Sequence, residues 1–382
     1  LSDAMAMPGA GSAPGLLKTL AKEWPLVHVR AVDLAQEVGA EVAARLVFEE
    51  AGRRDDPVEI GWQGETRLRL LAEPRPLAPG VEALPQGAVL LVTGGARGIT
   101  ARTVLHLARS HRPHFVIVGS VPLPETPEPA STASITDTNA LRARLIADAR
   151  AEGGTIAIPE IARRLRRLIK QREIRGTLES ISQAGATAEY RACNVRDGDG
   201  FAELIDAVYD AHGRIDGVIH GAGVIEDRLI IDKTPESFDR VVSTKVDSAI
   251  TLARCLRSES LKFLVFFTSV AGRFGNRGQG DYGAANEAVS KLARQLDALW
   301  PMTRVVAMSW GPWDQGGMVS EEVKAQFEAL GIEAIPPELG VRALEDEILN
   351  GPGNEPEVVW GLGPWADDMA SADDRDVGTA AE

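Results

Sequence analysis

From residue 87 onward, the chain alternates between short apolar runs and longer segments with helical periodicity. The runs that fit buried strands lie at residues 89–93, 115–118, 188–192, 217–220, 263–268, 305–309 and 357–360. Apolar strands that alternate with helices are typical of a parallel sheet covered by helices on both faces. The sequence therefore predicts an α/β fold with a doubly wound parallel sheet.

The residues before this alternation predict a separate, smaller α/β unit in which no glycine-rich turn follows the first strand. Its predicted elements are a helix at 16–24, a strand at 27–32, a helix at 42–50 and strands at 58–62 and 67–71. The predicted division of the chain is a linker at 1–15, the small subdomain with a Pro- and Gly-rich linker at 16–86, the main domain at 87–365 and a disordered acidic tail at 366–382.

The gap between the second and third predicted strands is too long for an ordinary crossover. It holds roughly 70 residues, whereas a whole strand–helix–strand unit needs roughly 30. Helical patterns at 141–151, 159–171 and 173–183 predict a helical insertion over about 121–183. Its basic residues either dock an acidic partner or form a solvated helix surface: they are Arg163, Arg164, Arg166, Arg167, Lys170, Arg172 and Arg175.

Charge and composition exclude several classes of function. With 41 basic and 55 acidic side chains, the net charge of −14 argues against nucleic-acid binding over the whole surface. No apolar run is long enough for a membrane span, and no signal peptide is evident. Cys193 and Cys255 lack metal-ligand spacing, so we expect reduced thiols, no metal and a cytoplasmic location.

The sequence LLVTGGARGIT places glycines where the first predicted strand of the main domain meets a helix. Glycines at such a turn let the backbone approach a pyrophosphate, which then lies at the helix N-terminus. A plain strand–helix turn is the alternative. The position of the turn, in the first unit of a parallel sheet, favours a Rossmann-like dinucleotide site made by Thr93, Gly94, Gly95, Arg97, Gly98 and Ile99.

The sequence HGAG ends the fourth predicted strand. Small residues at the carboxyl end of a strand allow a ligand to lie against the backbone, at the edge where open α/β sheets bind their ligands. Gly221, Ala222 and Gly223 therefore join the predicted cofactor site.

A set of polar residues fits carbonyl chemistry. Ser269 ends the fifth predicted strand, Tyr282 follows thirteen residues later, and Asn286 lies one helical turn after Tyr282. A carbonyl that accepts hydride needs a proton on its oxygen, which a phenol with a lowered pKa can supply while a hydroxyl holds the oxygen. Lys245 is the one charged residue on an otherwise apolar helix face, which indicates either a task or a lysine reaching out to water.

Together these motifs resemble the short-chain dehydrogenase/reductase superfamily, and within it the ketoreductase domains of type I polyketide and polyunsaturated-fatty-acid synthases. Such ketoreductases have asparagine four residues after the tyrosine and lysine on the preceding helix, as at Tyr282, Asn286 and Lys245. The segment MSWGPWDQGGMV at 308–319 is similar to theirs as well. The resemblance covers about residues 15–365, and the insertion is most similar to those of polyunsaturated-fatty-acid and enediyne-type iterative synthases.

The resemblance implies an NADPH-dependent β-ketoacyl reductase that acts on a chain carried by acyl carrier protein, beside other domains of a synthase. Residues 16–86 resemble a truncated structural subdomain. In the implied mechanism Tyr282 donates the proton, Ser269 positions the oxygen, Lys245 lowers the pKa of the tyrosine, and Asn286 orders the lysine or a water. Asn194 and Val195, after the third strand, are the implied adenosine contacts.

This chain departs from the family pattern in the adenosine region. Thr100 replaces the last glycine of the loop, Ser120 replaces an arginine that binds the 2′-phosphate, and Asn194 replaces an acid. Arg97 remains as a guanidinium that could bind a 2′-phosphate, which favours NADPH over NADH.

The loop after the fourth strand predicts the stereochemistry of the product. Ketoreductases of the B type have Leu-Asp-Asp in this loop, which corresponds here to Ile225, Glu226 and Asp227. The opposite type has tryptophan eight residues before the tyrosine, where this chain has Phe274. The resemblance therefore implies a D-hydroxyl product, unless the two acids merely solvate a loop.

Two other functions are compatible with parts of the pattern. One is a catalytically silent domain that binds carrier protein or scaffolds a synthase, which the complete Lys–Ser–Tyr–Asn set disfavours. The other is a free-standing short-chain alcohol dehydrogenase, which the N-terminal subdomain disfavours.

Overall fold

A computed structural model describes residues 11–35, 37–55, 57–77, 83–151, 157–314, 329, 331–352 and 354–363. The predicted acidic tail at 366–382 lies outside the described residues, as do residues 1–10 of the predicted linker. In the described part of the chain, no helix is long and apolar enough to cross a membrane.

The N-terminal subdomain is a small α/β unit, as predicted. Its elements are α1 (Ser12–Glu23), β1 (Ala31–Leu34), α2 (Ala40–Gly52), β2 (Glu59–Gln63) and β3 (Thr66–Leu68). β1 pairs with β2 in parallel, and β3 pairs with β2 in antiparallel orientation. The buried side chains of Leu46, Ile60 and Trp62 form its core. β1 starts later than the predicted strand at 27–32 because its pairing with β2 begins at Ala31.

Seven parallel strands form the main sheet and confirm the predicted α/β class. They are β4 (Val89–Thr93), β5 (His114–Gly119), β6 (Thr187–Ala192), β7 (Gly217–His220), β8 (Phe263–Ser269), β9 (Arg304–Trp310) and β10 (Glu357–Trp360). Their order in the sheet is β10-β9-β8-β7-β4-β5-β6. The chain order thus reverses between β4 and β7, and this switch point is where doubly wound sheets bind ligands.

Helices cover both faces of this sheet. They are α3 (Gly98–Ser110), α4 (Ala130–Ala133), α5 (Thr138–Ala151), α6 (Ile158–Gln183), α7 (Gly198–His212), α8 (Pro235–Cys255), α9 (Val270–Phe274), α10 (Gly280–Leu299) and α11 (Pro337–Asn350). One core cluster includes side chains of α7, α8 and α10, and the other includes side chains of α3, α6 and α11. The sheet is therefore buried on both sides, which explains why its strands are apolar without alternation.

The insertion is organised around α6, which corrects two predictions. The predicted helices at 159–171 and 173–183 are one continuous helix of 26 residues. Its later part, with Ile174 and Ile181 in the main core, serves as the crossover between β5 and β6, so the added segment is shorter than the predicted 121–183. Arg172, which separates the two predicted helices, lies inside this continuous helix. Its guanidinium binds Glu128 and the carbonyls of Thr132 and Ile135.

Helix α1 packs closely against α10, which corrects the predicted linker at 1–15. α1 begins at Ser12 rather than at residue 16. A Cβ atom on Gly15 would lie 2.3 Å from the carbonyl oxygen of Gly283 in α10. The small residues at this end of the chain therefore permit two helix backbones to approach each other, whereas the sequence suggested flexibility.

This crossing predicts opposite effects for two glycine substitutions. Gly15→Ala should lower the free energy of unfolding by about 1–3 kcal/mol, because the new methyl group meets backbone that cannot move independently. Gly176→Ala is the matched control: it lies in α6 with open space around its Cβ position, so it should raise stability by about 0.5–1 kcal/mol. Urea unfolding of both variants measures this, and equal effects would contradict the close crossing.

Candidate active site

The glycine-rich turn after β4 has the geometry of an anion cradle. Gly94 and Gly98 have φ angles of 70° and 60°, in the left-handed region that favours glycine. Apart from its chain neighbours and its own helix backbone, no described residue has an atom within 4 Å of the position that a Cβ on Gly98 would occupy. The N-cap residue of α3, Arg97, makes no side-chain capping hydrogen bond, and the first turn has no acidic residue. These features fit the pyrophosphate of a dinucleotide, which would bind the free N–H groups of α3.

The two glycine motifs meet at the switch point. A Cβ on Gly94 would lie 2.9 Å from the carbonyl oxygen of Gly221, and a Cβ on Gly221 would lie 2.4 Å from the Thr100 hydroxyl. Thr100, which replaces the last glycine of the family loop, is buried. The HGAG glycine therefore accommodates this threonine, and Gly221 is required for packing as well as for ligand access.

A buried network orders the HGAG segment. The backbone N–H of Ala222 donates to the Thr93 hydroxyl at 3.1 Å, and this hydroxyl lies 2.8 Å from Nδ1 of His220. Nε2 of His220 lies 3.2 Å from the carbonyl oxygen of Lys245. Burial, with help from the nearby Lys245 charge, lowers the pKa of His220 to about 3. The imidazole is therefore neutral and connects β4, β7 and α8, a role that the sequence did not reveal.

Ser269, Tyr282 and Asn286 come together as predicted from their spacing. Ser269 ends β8, and Tyr282 lies in the first turn of α10. The side chains of Ser269 and Asn286 are near enough to the Tyr282 hydroxyl to act on its pKa, and both act to lower it. Nδ2 of Asn286 also donates to the Tyr282 carbonyl at 2.7 Å. The carboxyl end of β8 therefore presents a serine–phenol pair at the edge of the sheet that the cofactor turn shares.

The predicted lowering of the tyrosine pKa is wrong for this structure. Burial raises the pKa of Tyr282 above its usual value, although the side chains of Ser269 and Asn286 act in the opposite direction. A sequence shows no burial, so the cost of removing the phenolate from water could not be anticipated. The phenol is protonated at neutral pH, as an ordinary tyrosine is, so its proton is available for donation.

Lys245 is the buried charge that its helical position predicted. Only 5% of the residue is exposed, and Nζ donates to the Phe267 carbonyl at 2.7 Å, two residues before Ser269. A Cβ on Gly223 would lie 3.5 Å from Nζ, so the amine borders the HGAG segment. Burial lowers the pKa of Lys245 to about 8, whereas a lysine that reaches water would keep its usual pKa near 10.4.

The predicted adenosine region combines predicted residues with two residues of α6 that were not predicted. Asn194 is exposed, Val195 is buried, and Ile99 packs against the core. Arg97 is exposed and forms an ion pair with Glu173 of α6. The Thr177 hydroxyl, also on α6, donates to the Ala96 carbonyl at 2.9 Å. Helix α6 therefore supports the glycine turn, and a carboxylate lies next to the only arginine in that turn.

The loop after β7 is anchored by the two acids that the sequence singled out. Glu226 accepts hydrogen bonds from the Ser237 hydroxyl at 2.7 Å and from the Arg240 guanidinium at 2.6 and 2.7 Å. The hydrogen bonds from Arg240 are the main reason that the pKa of Glu226 falls to about 2. Asp227 accepts from the Gln279 side chain at 3.0 Å. Glu226 therefore fixes the loop to α8, and Asp227 fixes it to the residue before α10.

Ile225 and Phe274 complete the predicted stereocontrol set. Ile225 is 40% exposed in the same loop, and Phe274 is the last residue of α9. Asp227 is close enough to Tyr282 for its charge to raise the pKa of the phenol. The loop therefore borders the catalytic residues.

Two supports of the site were missed by sequence reasoning. Glu23 at the end of α1 accepts from the backbone N–H groups of Ile230 at 2.7 Å and Gly278 at 2.8 Å. Lys233 and Asp281 form a buried ion pair at 2.8 Å next to Tyr282. Their partners are distant in sequence, so no local pattern marks them. Glu23 makes the N-terminal subdomain part of the frame around the catalytic loops.

Comparison with known proteins identifies the family of this chain. The sequence profile described as the KR domain matches residues 88–315, more than half of the 382 residues. The chain therefore belongs to the KR, or ketoreductase, domain family, whose members use a nicotinamide cofactor.

Its relatives are parts of polyketide and polyunsaturated-fatty-acid synthases. It is 32% identical over 375 residues to a polyunsaturated fatty acid synthase of Thraustochytrium, in an alignment that covers 95% of this chain and 13% of that protein. It is 29% identical over 313 residues to erythronolide synthase EryA2 of Saccharopolyspora erythraea, covering 80% of this chain and 8% of that protein. The chain thus spans a small fraction of the length of these relatives.

Solved structures share the fold. An A-type ketoreductase from a modular polyketide synthase superposes with a TM-score of 0.71 at 23% identity, covering 96% of this chain and 68% of that one. A ketoreductase domain from the bacillaene assembly line gives a TM-score of 0.68 at 24% identity, covering 94% and 75%. A C2-type ketoreductase gives 0.67 at 20% identity, covering 94% and 66%. The fold is therefore common to several ketoreductase types.

The pKa of Lys245 predicts a pH dependence. If its ammonium group is needed for ketone reduction, kcat/KM should fall as pH rises through about 8, the pKa that burial gives to this lysine. Lys245→Arg keeps the charge to much higher pH, so in the active fraction of this variant the decline should move to higher pH. A decline near pH 8 that persists in Lys245→Arg would assign it to another group.

Proposed function

We propose that this domain catalyses NADPH-dependent reduction of a β-ketoacyl group on acyl carrier protein to a D-β-hydroxyacyl group. The observation that carries the proposal is the joint placement of Lys245, Ser269 and Tyr282 at the carboxyl edge of the sheet, where the glycine turn fits a dinucleotide. A catalytically silent scaffold has no need for a buried lysine at a depressed pKa.

The roles of the residues follow from their contacts. A bound nicotinamide supplies the hydride. The Ser269 hydroxyl holds the carbonyl oxygen beside the Tyr282 hydroxyl, and Tyr282, a phenol that is protonated at neutral pH, donates the proton to that oxygen. Lys245, whose Nζ donates to the Phe267 carbonyl two residues before Ser269, would supply positive charge to stabilise the phenolate that remains. Asn286 holds the first turn of α10 and orders the proton path.

Removal of the phenol tests the proposed chemistry. Tyr282→Phe should lower kcat for a β-ketoacyl thioester by at least about 100-fold, the usual contribution of a general acid, with folding intact. Tyr209→Phe is the control, because its hydroxyl accepts from the Arg257 N–H away from the site, and it should retain turnover. If Tyr282→Phe turns over like the wild type, Tyr282 is not the acid; if the wild type shows no cofactor-dependent turnover, the domain is a scaffold.

Specificity for NADPH rests on Arg97. Its guanidinium is exposed beside the N-terminus of α3 and can bind a phosphate in bidentate fashion. Ser120 offers a hydroxyl where relatives have a second cation. The ion pair with Glu173 holds the arginine at the turn and competes with the phosphate for it.

Two variants test this specificity. Arg97→Ala should raise KM for NADPH by about 10-fold or more, the size of a lost charge-assisted contact, and leave KM for NADH nearly unchanged. Glu173→Gln frees Arg97 and should not raise KM for NADPH. Steady-state kinetics with both cofactors measures this, and an NADH kcat/KM equal to or above that of NADPH in the wild type would refute the proposed specificity.

The D configuration rests on the loop after β7. Asp227 is retained from the B-type pattern, Glu226 conserves the charge before it, and Phe274 replaces the tryptophan of the opposite type. The side from which the acyl arm enters decides which carbonyl face meets the hydride, since the cofactor is fixed. The bonds from Glu226 to α8 and from Asp227 to Gln279 give this loop a defined position.

Chiral analysis of the alcohol tests the configuration. The carrier-bound 3-ketoacyl substrate should yield the D product, and Asp227→Ala should reduce the enantiomeric excess because the loop loses its bond to Gln279. Ser120→Ala, on the adenosine side, should keep the wild-type excess. A predominantly L product from the wild type would show that this loop does not direct the acyl arm.

The partners proposed are acyl carrier protein and neighbouring synthase domains. An acidic carrier protein is complementary in charge to the basic part of α6, but some of these arginines already bind other groups of this chain. Arg172 binds Glu128, and Arg175 binds the carbonyls of Pro124 and Thr126. Exposed Arg166 and Arg167 are therefore the side chains best placed for docking.

A further inference from the structure

The geometry points to a divalent transition-metal site, of the kind that binds Zn²⁺, formed by His114, Glu189 and His212. A ring nitrogen of each histidine and a carboxylate oxygen of Glu189 lie within 4.8 Å of one another. Two imidazoles and one carboxylate are a known protein ligand set for zinc, with water in the fourth position. The site lies away from the catalytic residues and is separate from the proposed reaction.

The ligand atoms converge because of the topology. His114 begins β5, Glu189 lies in β6 two residues beyond the pairing partner of His114, and both are at the amino end of the sheet. Helix α7 follows β6 and returns antiparallel to it, so its last residue, His212, comes back to that same end. Three residues distant in sequence thus meet at the edge opposite the catalytic side chains.

The ligand atoms lack hydrogen bonds, and two of them, on His212 and Glu189, form only a long ion pair. Nε2 of His114, Nε2 of His212 and Oε1 of Glu189 are each inaccessible to solvent and have no hydrogen-bond partner among the described residues. Buried polar atoms are nearly always hydrogen bonded, so three that face one another need an explanation. A metal ion would satisfy all three at once.

The spacing suits a metal better than a hydrogen bond. Nε2 of His212 and Oε1 of Glu189 are 3.5 Å apart, longer than an ordinary N–H···O bond. On a tetrahedral zinc with bonds of about 2.0–2.1 Å, two ligand atoms lie about 3.4 Å apart.

The second polar atoms of His114 and Glu189 are hydrogen bonded in the way that metal ligands require. Nδ1 of His114 lies 2.8 Å from the Thr187 hydroxyl, which can accept its proton and leave the Nε2 lone pair facing the cluster. The second carboxylate oxygen of Glu189 accepts from Arg191 at 2.9 Å. His212 ends α7, where the helix dipole favours a cation.

A second His–Glu–His cluster in the same chain provides the contrast. His106 and His111 both contact Glu345, with Nε2-to-oxygen distances of 2.7 and 2.8 Å. Those carboxylate oxygens and ring nitrogens bind each other directly, so no ligand atom is left for a metal. The same three residue types therefore hydrogen bond to one another in the His106–His111–Glu345 cluster, whereas in the His114–Glu189–His212 cluster their facing atoms make no hydrogen bond.

Zinc titration of the chelator-treated 382-residue chain tests the site. Isothermal titration calorimetry should give one Zn²⁺ per chain with a Kd of about 10 μM or tighter, and Co²⁺ should give the visible absorption of a four-coordinate site. His114→Ala, Glu189→Gln and His212→Ala should each weaken binding by about 100-fold. His111→Ala is the matched control and should bind like the wild type.

Thermal unfolding gives an independent readout. Zn²⁺ at about 100 times its Kd should raise the Tm of the wild type and of His111→Ala, because the ion binds only the folded chain. At the same concentration it should raise the Tm of Glu189→Gln far less, since binding to this variant is weaker. Glutamine keeps the shape of the side chain and guards against a misfolded alanine variant. Wild-type binding weaker than about 1 mM, binding unchanged in Glu189→Gln, or binding lost in His111→Ala would overturn the proposal.

Discussion

The close backbone approach of Gly94 and Gly221 is the constraint on which the site depends. The two glycines directly follow the strands β4 and β7, between which the strand order reverses, and a Cβ on Gly94 would lie within 2.9 Å of the Gly221 carbonyl. Their contact brings the dinucleotide turn beside the HGAG segment. Lys245 contacts that segment at Gly223, so the predicted cofactor turn and the lysine proposed for catalysis lie at one backbone junction.

Residues of the N-terminal subdomain hold the loops that border the candidate catalytic residues. Glu23 binds the backbone of both loops that border the catalytic residues, and Lys18 of the same helix forms ion pairs with Glu59 at 2.7 Å and with Glu287 of α10 at 3.2 Å. Burial of such charges costs free energy unless they remain paired. The N-terminal subdomain therefore stabilises the position of α10, which carries Tyr282 and Asn286.

The sequence predicted those features that depend on local pattern. The seven strands of the main sheet were marked by apolar runs because helices cover both faces, and the spacing of Tyr282 and Asn286 required only helical geometry. Features set by tertiary contact were missed or wrong. The backbone partners of Glu23 lie more than 200 positions away along the chain. Burial reversed the expected direction of the Tyr282 pKa shift. Gly15 resembled a linker residue in the sequence, whereas in the structure the Gly283 backbone leaves no room for a side chain there.

Isotope transfer tests the proposed hydride transfer from a nicotinamide cofactor, bound at this edge of the sheet, to a β-ketoacyl carbonyl. NADPH deuterated at both C4 positions would be incubated with the domain and a carrier-bound 3-ketoacyl chain, and the product analysed by mass spectrometry. One deuterium should appear at C3 of the hydroxyacyl product for each NADPH oxidised. A hydroxyacyl product without deuterium, or NADPH that stays unoxidised in the presence of substrate, would contradict the proposed transfer.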